Sequence, residues 1–454
     1  MTSFRIVPSF RTRTGYRAIA LSSTILVTLL VSGARAQQWD GSDSDAWETG
    51  TNWVGDAAPT AGDDVVIDDN TPNPTLLTST TTVNSTALGG TGALTIGDPS
   101  GSNASLTNTN GMTMTGGTLT VSNGLPTGSA LDNGTAGLNM SGGTLNLGSV
   151  GASGPTMTGD VTMTGGTGVG VGNSTLDGSL TMSNGAGYQN GSSTITGNVG
   201  VSGAGTNFFN NSGIVQGTLT NNGGTIGSSG GTLANVNNIS GAFNYGGGTA
   251  GNVTNTGDLN FTGGSMNSLD NNTGGDVDVT GGGTVDTVVT NAGALDINTG
   301  TLTVTGNSTT NENGGTLAVA AGATLASDVT NQTGAQATFN GDVGNVENTG
   351  GTVTISGGTT ASLDNTAGNS TVNGGTIAGT TNVDAGEVTV AGGTLIGNST
   401  VNGGTLDINS GTAGNVENAG GTLEIDGGAV ASVDNTAGTA TMGGGDITGN
   451  LNVD

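Results

Sequence analysis

The side chains that could do chemistry in this chain are carboxylates. The 454 residues include 33 aspartates and glutamates but no histidine or cysteine, and the only basic residues are five arginines, the last of them Arg35. A histidine-based triad, a thiolate nucleophile, a Schiff-base lysine and a cysteine- or histidine-based zinc site are therefore excluded by residue type. What remains is acid–base chemistry by paired carboxylates and cation binding by carboxylate oxygens.

Asp276 and Asp278 form the clearest carboxylate pair. They stand two residues apart in an alternating run, so a β-strand places both side chains on one face. Two acids at a set separation are all that a glycoside hydrolase requires, which leaves a secreted carbohydrate-active enzyme open as an alternative function. A solvated strand face is the other interpretation, and the sequence favours it because fold analogy alone supplies no active site.

Seven further aspartates are concentrated near the start of the chain and offer the oxygen ligands that Ca²⁺ accepts. They are Asp40, Asp43, Asp45, Asp63, Asp64, Asp68 and Asp69. Neither run matches an EF-hand loop, and the Gly-Gly-x-Gly-x-Asp repeat of calcium β-rolls does not recur. Solvated acidic loops are the alternative interpretation. Ca²⁺ is therefore the one candidate cofactor, with these residues as its candidate ligands.

Short strands with one buried face are the elements that must position these carboxylates. A Gly-Gly-Thr triplet followed by apolar, polar and apolar residues recurs along the chain, and its period of two indicates β-strands rather than helices. Asn-Gly and Gly-Gly clusters between the runs predict turns. The signature occurs at residues 116–121, 142–147, 314–319, 403–408 and 420–425.

The strands belong to a repeat array. Residues 414–454 repeat residues 344–384 without a gap, and residues 251–275 follow the same plan more loosely. Strands this short bury enough surface only by stacking on the equivalent strands of neighbouring repeats. The sequence therefore predicts an all-β fold, a right-handed parallel β-helix (solenoid), over residues 98–454. A disordered glycine-rich polymer is the alternative, and the apolar alternation kept in both copies argues against it.

Asparagines recur at fixed places in the GNVxN segments of these repeats. The positions are Asn252 and Asn255, Asn345 and Asn348, and Asn415 and Asn418. Their repetition predicts stacked turn residues that hydrogen-bond along the rod, which is a structural role and not a binding site.

Aromatic residues mark two further regions. Trp39, Trp47 and Trp53 all lie in residues 37–97, which predicts an N-terminal aromatic cap over the open end of the solenoid. A tryptophan platform that stacks on sugars is the alternative. Later aromatic residues gather between Tyr188 and Phe261, where a wider core and an exposed binding patch are the two interpretations.

Residues 1–36 read as a secretory signal peptide. Four arginines precede an apolar run at residues 18–31, which is too short for a membrane span, and Ala34-Arg35-Ala36 has the small-x-small pattern of a cleavage site. Cleavage is expected to leave Gln37 as the first residue, and an uncleaved anchor is the alternative.

One segment carries a family resemblance. Residues 37–68 read QQWDGSDSDAWETGTNWVGDAAPTAGDDVVID, with Trp39-Asp40-Gly41, Asn52-Trp53, Pro59 and Gly62-Asp63-Asp64 in succession. This order resembles the opening of autotransporter-type secreted passenger proteins, and the Gly-Gly-Thr-Leu strands are similar to that family's repeats. The resemblance implies a β-helical rod displayed on, or released from, the outer membrane of Gram-negative bacteria, commonly as an adhesin.

The C-terminal end departs from the pattern of that family. Its members carry a translocator barrel there, whereas Asp454 ends this sequence at the position of Asp384 in the earlier copy. We therefore expect a fragment or a truncated reading frame, with membrane contact only through a missing or separate translocator.

Together these observations predict an exported, non-catalytic rod, an adhesin or a structural passenger, outside the cell or at its surface. The expected partners are a host, surface or polysaccharide ligand. Nucleic acid is excluded because phosphate recognition needs cations, and the chain has none after Arg35. The alternatives are a secreted carbohydrate-active enzyme with paired carboxylates and a Ca²⁺-responsive extracellular matrix protein.

Overall fold

The chain forms a parallel β-solenoid of about 20 turns that is 62% strand. A computed structural model describes residues 36–69, 72–98, 103–122, 129–148 and 154–454. The all-β stacked fold predicted from the repeats is confirmed. The predicted signal peptide lies outside the described residues except for Ala36.

Each turn contributes one strand to each of three columns, which run the length of the rod. Ser105–Asn108, Met112–Met114 and Thr118–Val121 belong to one turn. They pair in parallel with Ala130–Asp132, Leu138–Met140 and Thr144–Leu147 of the next turn. We call these the first, second and third columns in the order in which the chain visits them.

The separate strands of the first column are Thr80–Val83, Ser105–Asn108, Ala130–Asp132, Thr156–Thr158, Thr175–Asp177, Thr194–Ile195, Gly283–Val285, Thr301–Val304, Thr324–Ala326, Thr376–Ile377 and Asp446–Ile447. Those of the second column are Ala36–Gln38, Asp64–Ile67, Ser85–Leu88, Met112–Met114, Leu138–Met140, Val161–Met163, Leu180–Met182, Val199–Ser202, Val289–Asn291, Thr309–Asn311, Val329–Asn331, Thr381–Val383, Ser399–Val401 and Leu451–Val453.

The separate strands of the third column are Thr75–Leu77, Ala93–Ile96, Thr118–Val121, Thr144–Leu147, Thr167–Gly170, Gly187–Asn190, Asn207–Asn210, Asp258–Phe261, Asp276–Val279, Ala294–Ile297, Thr316–Val319 and Gln336–Phe339. Longer strands bend through two or more columns, and these are Ile214–Asn255, Ser265–Asn271, Asp342–Ile355, Thr359–Val372, Glu387–Leu395, Thr405–Ile425 and Ala429–Met442.

Helical structure in the described residues is limited to two short 3₁₀ turns, Gly50–Asn52 and Gly134–Ala136. Within these residues no helix combines the length and the apolar character needed to cross a membrane.

The alternation of apolar and polar residues within each strand builds the core. In Thr118–Val121 the side chains of Leu119 and Val121 are buried inside the solenoid, while the two threonines face outward. The chain turns into this strand at Gly117, whose φ is +73° and whose missing Cβ would lie 2.2 Å from the Gly92 carbonyl oxygen. The Gly-Gly of the strand signature is therefore a steric requirement of the tight corner between columns.

Turn length varies along the rod. Asn255 and Asn271 occupy equivalent positions 16 residues apart, whereas Asn84 and Asn110 on successive turns are 26 residues apart. Longer turns place their extra residues in loops between columns, since the separate strands of each column are only short.

A ladder of buried asparagine side chains runs through the second half of the core, at the last inward position of the second column. Each Nδ2 donates to the Oδ1 of the asparagine one turn later over 2.7–3.2 Å. The ladder consists of Asn221, Asn238, Asn255, Asn271, Asn291, Asn311, Asn331, Asn348 and Asn365. The prediction of stacked asparagines is confirmed for Asn255 and Asn348, which belong to it.

Apolar residues hold the same inward position outside the ladder. Met163 and Met182 are in register before it, and Val201 pairs with Asn221 at its start. After the ladder, Asn365 pairs with Val383, which begins a two-turn apolar interruption before the asparagines resume at Asn418.

The tryptophan cluster lies at the N-terminal end of the rod. Trp39, Trp47 and Trp53 are almost fully buried. Trp53 meets the other two rings edge to face at centroid distances of 5.0 and 4.9 Å. The predicted aromatic cap is thus present and leaves no exposed tryptophan platform for sugars. Stacked strands begin within residues 37–97, because Asp64–Ile67 already pairs with Ser85–Leu88.

The ladder gives a stability prediction. Replacing Asn291 with alanine removes the bond from Asn271 and leaves Asn311 Oδ1 and the Thr316 carbonyl without their donor. We expect the free energy of unfolding to fall by about 2–3 kcal/mol, since buried unsatisfied groups keep their desolvation cost. Guanidinium denaturation followed by far-UV circular dichroism measures the loss.

Asn260→Ala is the matched control for this variant. Asn260 also donates its amide to an asparagine on the adjacent turn, Asn244, over 2.9 Å, but on the exposed surface. Its loss should change stability by no more than about 0.5 kcal/mol. Equal effects of the two substitutions would contradict a stabilising role for the buried ladder.

Candidate functional site

Six of the seven candidate aspartates of the cap region accept hydrogen bonds with their side chains. Asp63 Oδ2 accepts from the backbone and hydroxyl of Thr60, both over 2.8 Å. Asp64 Oδ1 accepts from Asn84 and Ser85 over 2.7 and 2.6 Å. Asp40, Asp43, Asp68 and Asp69 likewise accept from neighbouring groups.

A single group of three carboxylates in the described part of the chain has oxygens within 4.8 Å of one another, and its members are Asp276, Asp278 and Asp296. The seven cap aspartates do not form such a group. A Ca²⁺ site in the cap therefore stays a prediction from sequence.

The three clustered aspartates lie on the outer surface of the third column. Asp276 and Asp278 alternate along one strand as predicted, and Asp278 is in register with Asp296 on the next turn. Partial burial and the charges of Asp278 and Asp258 raise the pKa of Asp276. Partial burial and the charges of Asp276 and Asp278 likewise raise the pKa of Asp296.

This placement agrees with the solvated strand face that the sequence favoured. A glycosidase sets its two acids on opposite sides of the bond that it cleaves. Asp276 and Asp278 instead point the same way from one strand, and Asn298 donates to Asp278 Oδ1 over 2.9 Å from the adjacent turn.

A polar groove on the second column is a second candidate site. It encloses about 500 Å³ and is lined by side chains of successive turns, including Asp328, Asn345, Glu347, Ser362 and Asp364. Asn345 donates its backbone and side-chain amides to Asp328 Oδ1, both over 2.9 Å. Ser362 donates its hydroxyl to Asn345 Oδ1 over 2.7 Å. These bonds fix the walls of the groove.

The second repeat copy builds a similar groove. Asn415, Glu417, Ser432 and Asp434 line a hollow of about 320 Å³ on the same column. Ser432 donates to Asn415 Oδ1 over 2.7 Å, as its counterpart does in the first copy. We call these two hollows the twin grooves. The register connects them through four turns, or about 19 Å along the rod.

The twin grooves bring like charges together. Glu347 is directly in register with Asp364, and Glu417 with Asp434. Partial burial and the charges of Asp384 and Glu347 raise the pKa of Asp364. Within the described chain Asp364 Oδ1 is buried without a hydrogen-bond partner. Carboxylates placed opposite one another destabilise a sheet, so this arrangement has a stability cost.

Several outward side chains on the other two columns differ between the copies, although Thr352 and Thr371 are unchanged. Thr354 of the third column becomes Glu424, and Thr359 of the first column becomes Ala429. On the second column the outward residues Asn345, Glu347, Ser362, Asp364 and Asn382 are all identical in the later copy. The copies therefore share one surface, and that surface lines the twin grooves.

The aromatic residues between Tyr188 and Phe261 mostly fill the core, as the wider-core interpretation predicts. Tyr188 and Phe208 are buried and stack at 6.3 Å with an interplanar angle of 7°, and Phe243, Tyr245 and Phe261 are buried beyond them. Phe209 is the exception, because 44% of its surface is exposed.

Sequence reasoning missed the twin grooves and the contribution of Asp296. Both depend on which residues become neighbours one turn apart, and variable turn length hides this in the sequence. Comparisons with protein-family models, curated proteins and solved structures find no match.

The raised aspartate pKa values predict a pH-dependent effect. Because the pKa of folded Asp276 or Asp296 lies above the ordinary 3.8, the folded chain binds more protons than the unfolded chain between the two values. Each group therefore favours folding as the pH falls through its folded pKa and opposes it at neutral pH. Asp276→Asn and Asp296→Asn should each raise the melting temperature at pH 7.

Thermal unfolding at several pH values tests this expectation. The gain should vanish as the pH falls below 3.8, where aspartate is neutral in both states. Asp286→Asn is the control, since it removes the same charge from an exposed position outside the cluster. A gain that persists at low pH, or an equal gain in the control, would show that repulsion within the cluster is not the cause.

Proposed function

We propose that this chain is a non-catalytic extracellular rod that attaches to a repetitive surface or polymer through the twin grooves. The observation that carries the proposal is that the outward second-column residues are identical in the two copies, whereas several outward residues of the other two columns differ. Core packing places no demand on outward side chains. Contact with a ligand accounts for two copies of one surface at a fixed spacing.

Spacing and orientation favour a repeating ligand. The grooves face the same side of the rod about 19 Å apart, so both can engage one extended partner. Once the first groove is occupied, the second binding event becomes intramolecular and overall affinity rises without any new kind of contact. Stacked strands keep the spacing fixed, which removes the entropy loss of a flexible linker.

The negative charge of the rod limits the classes of partner that it can bind. All 33 acidic residues follow the last arginine, so the rod repels nucleic acid and anionic membrane surfaces. Export through the predicted signal peptide, and display in the manner of the passenger proteins that the sequence resembles, complete the proposal. Release of the rod from the cell is compatible with the same attachment role.

An attachment assay tests the role of the twin grooves. Beads coated with residues 37–454 are flowed over glass, polystyrene, polysaccharide films and cultured cells, and retained beads are counted. The groove variant carries Glu347→Gln, Asp364→Asn, Glu417→Gln and Asp434→Asn. On the surface that retains the wild type best, it should retain roughly tenfold fewer beads or less, since both contacts of a bivalent interaction are weakened.

The control variant removes the same number of charges, at residues that lie in the third column or next to it. It carries Glu387→Gln, Asp407→Asn, Glu424→Gln and Asp426→Asn, and it should be retained like the wild type. Equal losses in the two variants would indicate a general charge effect. No wild-type retention on any surface would count against an adhesive role altogether.

Export gives an independent prediction. Expression of the full 454-residue chain in a Gram-negative host should yield a product outside the cytoplasm whose first residue is Gln37. Mass spectrometry of the purified N-terminus identifies that residue. Arg35→Asp, which replaces the middle residue of the small-x-small motif, is expected to leave cleavage intact, whereas Ala34→Leu with Ala36→Leu should block it. A cytoplasmic, uncleaved product would contradict the export proposal.

A further inference from the structure

Phe209 is the one aromatic side chain that the described residues expose among their large apolar side chains. It lies in the third column, where the strand Asn207–Asn210 buries Phe208 and turns Phe209 outward. The outward residues in register with it on the adjacent turns are Gln189 and Gly227. Single exposed apolar side chains are common on protein surfaces, so the case for a site depends on how this ring is placed and on what surrounds it.

The ring is held in place by a glycine. A Cβ on Gly227 would lie 2.5 Å from Phe209 Cδ1 and 2.8 Å from Cε1, so the ring lies over this glycine on the following turn. Any larger residue would push the ring away. The site is therefore preorganised, which reduces the entropy cost of binding.

Two hollows meet at the Phe209 ring. One encloses about 300 Å³ towards the C-terminal end of the rod and includes Asn211, Asn244 and Asn260. The other encloses about 290 Å³ on the opposite side and includes Gln189 and Asn207. Asn260 donates to Asn244 Oδ1 over 2.9 Å, so these two amides form a fixed polar edge beside the ring.

The chemistry of the lining identifies a class of ligand. Amides, hydroxyls and glycines surround the ring, and none of the residues that line either hollow is charged. An aromatic face beside amide donors and acceptors suits a ligand with a flat apolar face and hydroxyl groups at its edge. Sugar rings have both, and an uncharged lining favours neutral sugars over anionic ones, which the acidic rod also repels.

The geometry of the rod favours an extended chain of sugars over a single one. Successive turns place Gln189, Phe209 and Gly227 in register at the strand spacing of about 4.8 Å. An extended polysaccharide advances by a similar distance per sugar. A chain lying along the rod would thus contact the ring and continue over the amides on either side.

We propose that Phe209 and its two flanking hollows form a binding site for a neutral, extended polysaccharide. The sugar ring stacks on Phe209, and Asn244, Asn260 and Gln189 exchange hydrogen bonds with its hydroxyls. This inference extends the attachment role proposed above to a different surface and names a ligand class for it.

Titration calorimetry with hexasaccharides tests the site on residues 37–454. The probes are cellohexaose, laminarihexaose and maltohexaose, which are neutral, and hexagalacturonate, which is anionic. At least one neutral probe should bind, and hexagalacturonate should not. Phe209→Ala should weaken binding of that neutral probe by about tenfold or more, as removal of a central aromatic contact does, and Phe209→Tyr should retain it.

Ile239→Ala is the matched control, because Ile239 is another exposed apolar side chain, at 51% exposure, and lines neither hollow. It should bind like the wild type. The proposal is overturned if no neutral probe binds at millimolar concentration, if Phe209→Ala binds as well as Phe209→Tyr, or if hexagalacturonate binds equally. The groove variant should keep full hexasaccharide affinity, so failure of the groove proposal and failure of this one give different results.

Discussion

Stacking in register is the constraint on which the rest of this rod depends. Each inward side chain lies next to the equivalent side chains of the turns before and after it, so a buried amide is stabilised where those neighbours can bond to it. Asn271, Asn291 and Asn311 satisfy that condition as a continuous ladder. An isolated buried amide would instead keep an unsatisfied donor and acceptor.

The same register shapes the outer surface. Residues of the same type come to lie one turn apart. Because the rod has no basic residue after Arg35, its carboxylates cannot form ion pairs with basic side chains. Asparagines on adjacent turns donate hydrogen bonds to these carboxylates instead. Asn402 donates to Asp384 over 2.6 Å, and Asn298 donates to Asp278 over 2.9 Å. Neutral amides thus relieve part of the repulsion, whereas the pKa values of Asp276, Asp296 and Asp364 are raised by partial burial and by neighbouring carboxylates.

Local patterns in the sequence were enough to predict the strands, the stacked fold and the cap. Alternation placed Asp276 and Asp278 on one face, and the three nearby tryptophans indicated a buried cluster. The sequence could not reveal that Asp296 joins the pair or that Glu347 lies opposite Asp364, because those contacts depend on turn length. Steps between equivalent residues range from 16 residues to 26 residues, so a neighbour one turn away has no fixed position in the sequence.

Phe208 and Phe209 show how little distinguishes a core residue from a surface site in such a fold. Their types are identical, and the period of two sends one ring inward to stack on Tyr188 and the other outward over Gly227. The backbone pairs equally well with any outward residue, so the fold does not require an aromatic ring there. A residue that the fold does not require, over a glycine that makes room for it, is the reason for proposing a contact with a ligand at this position.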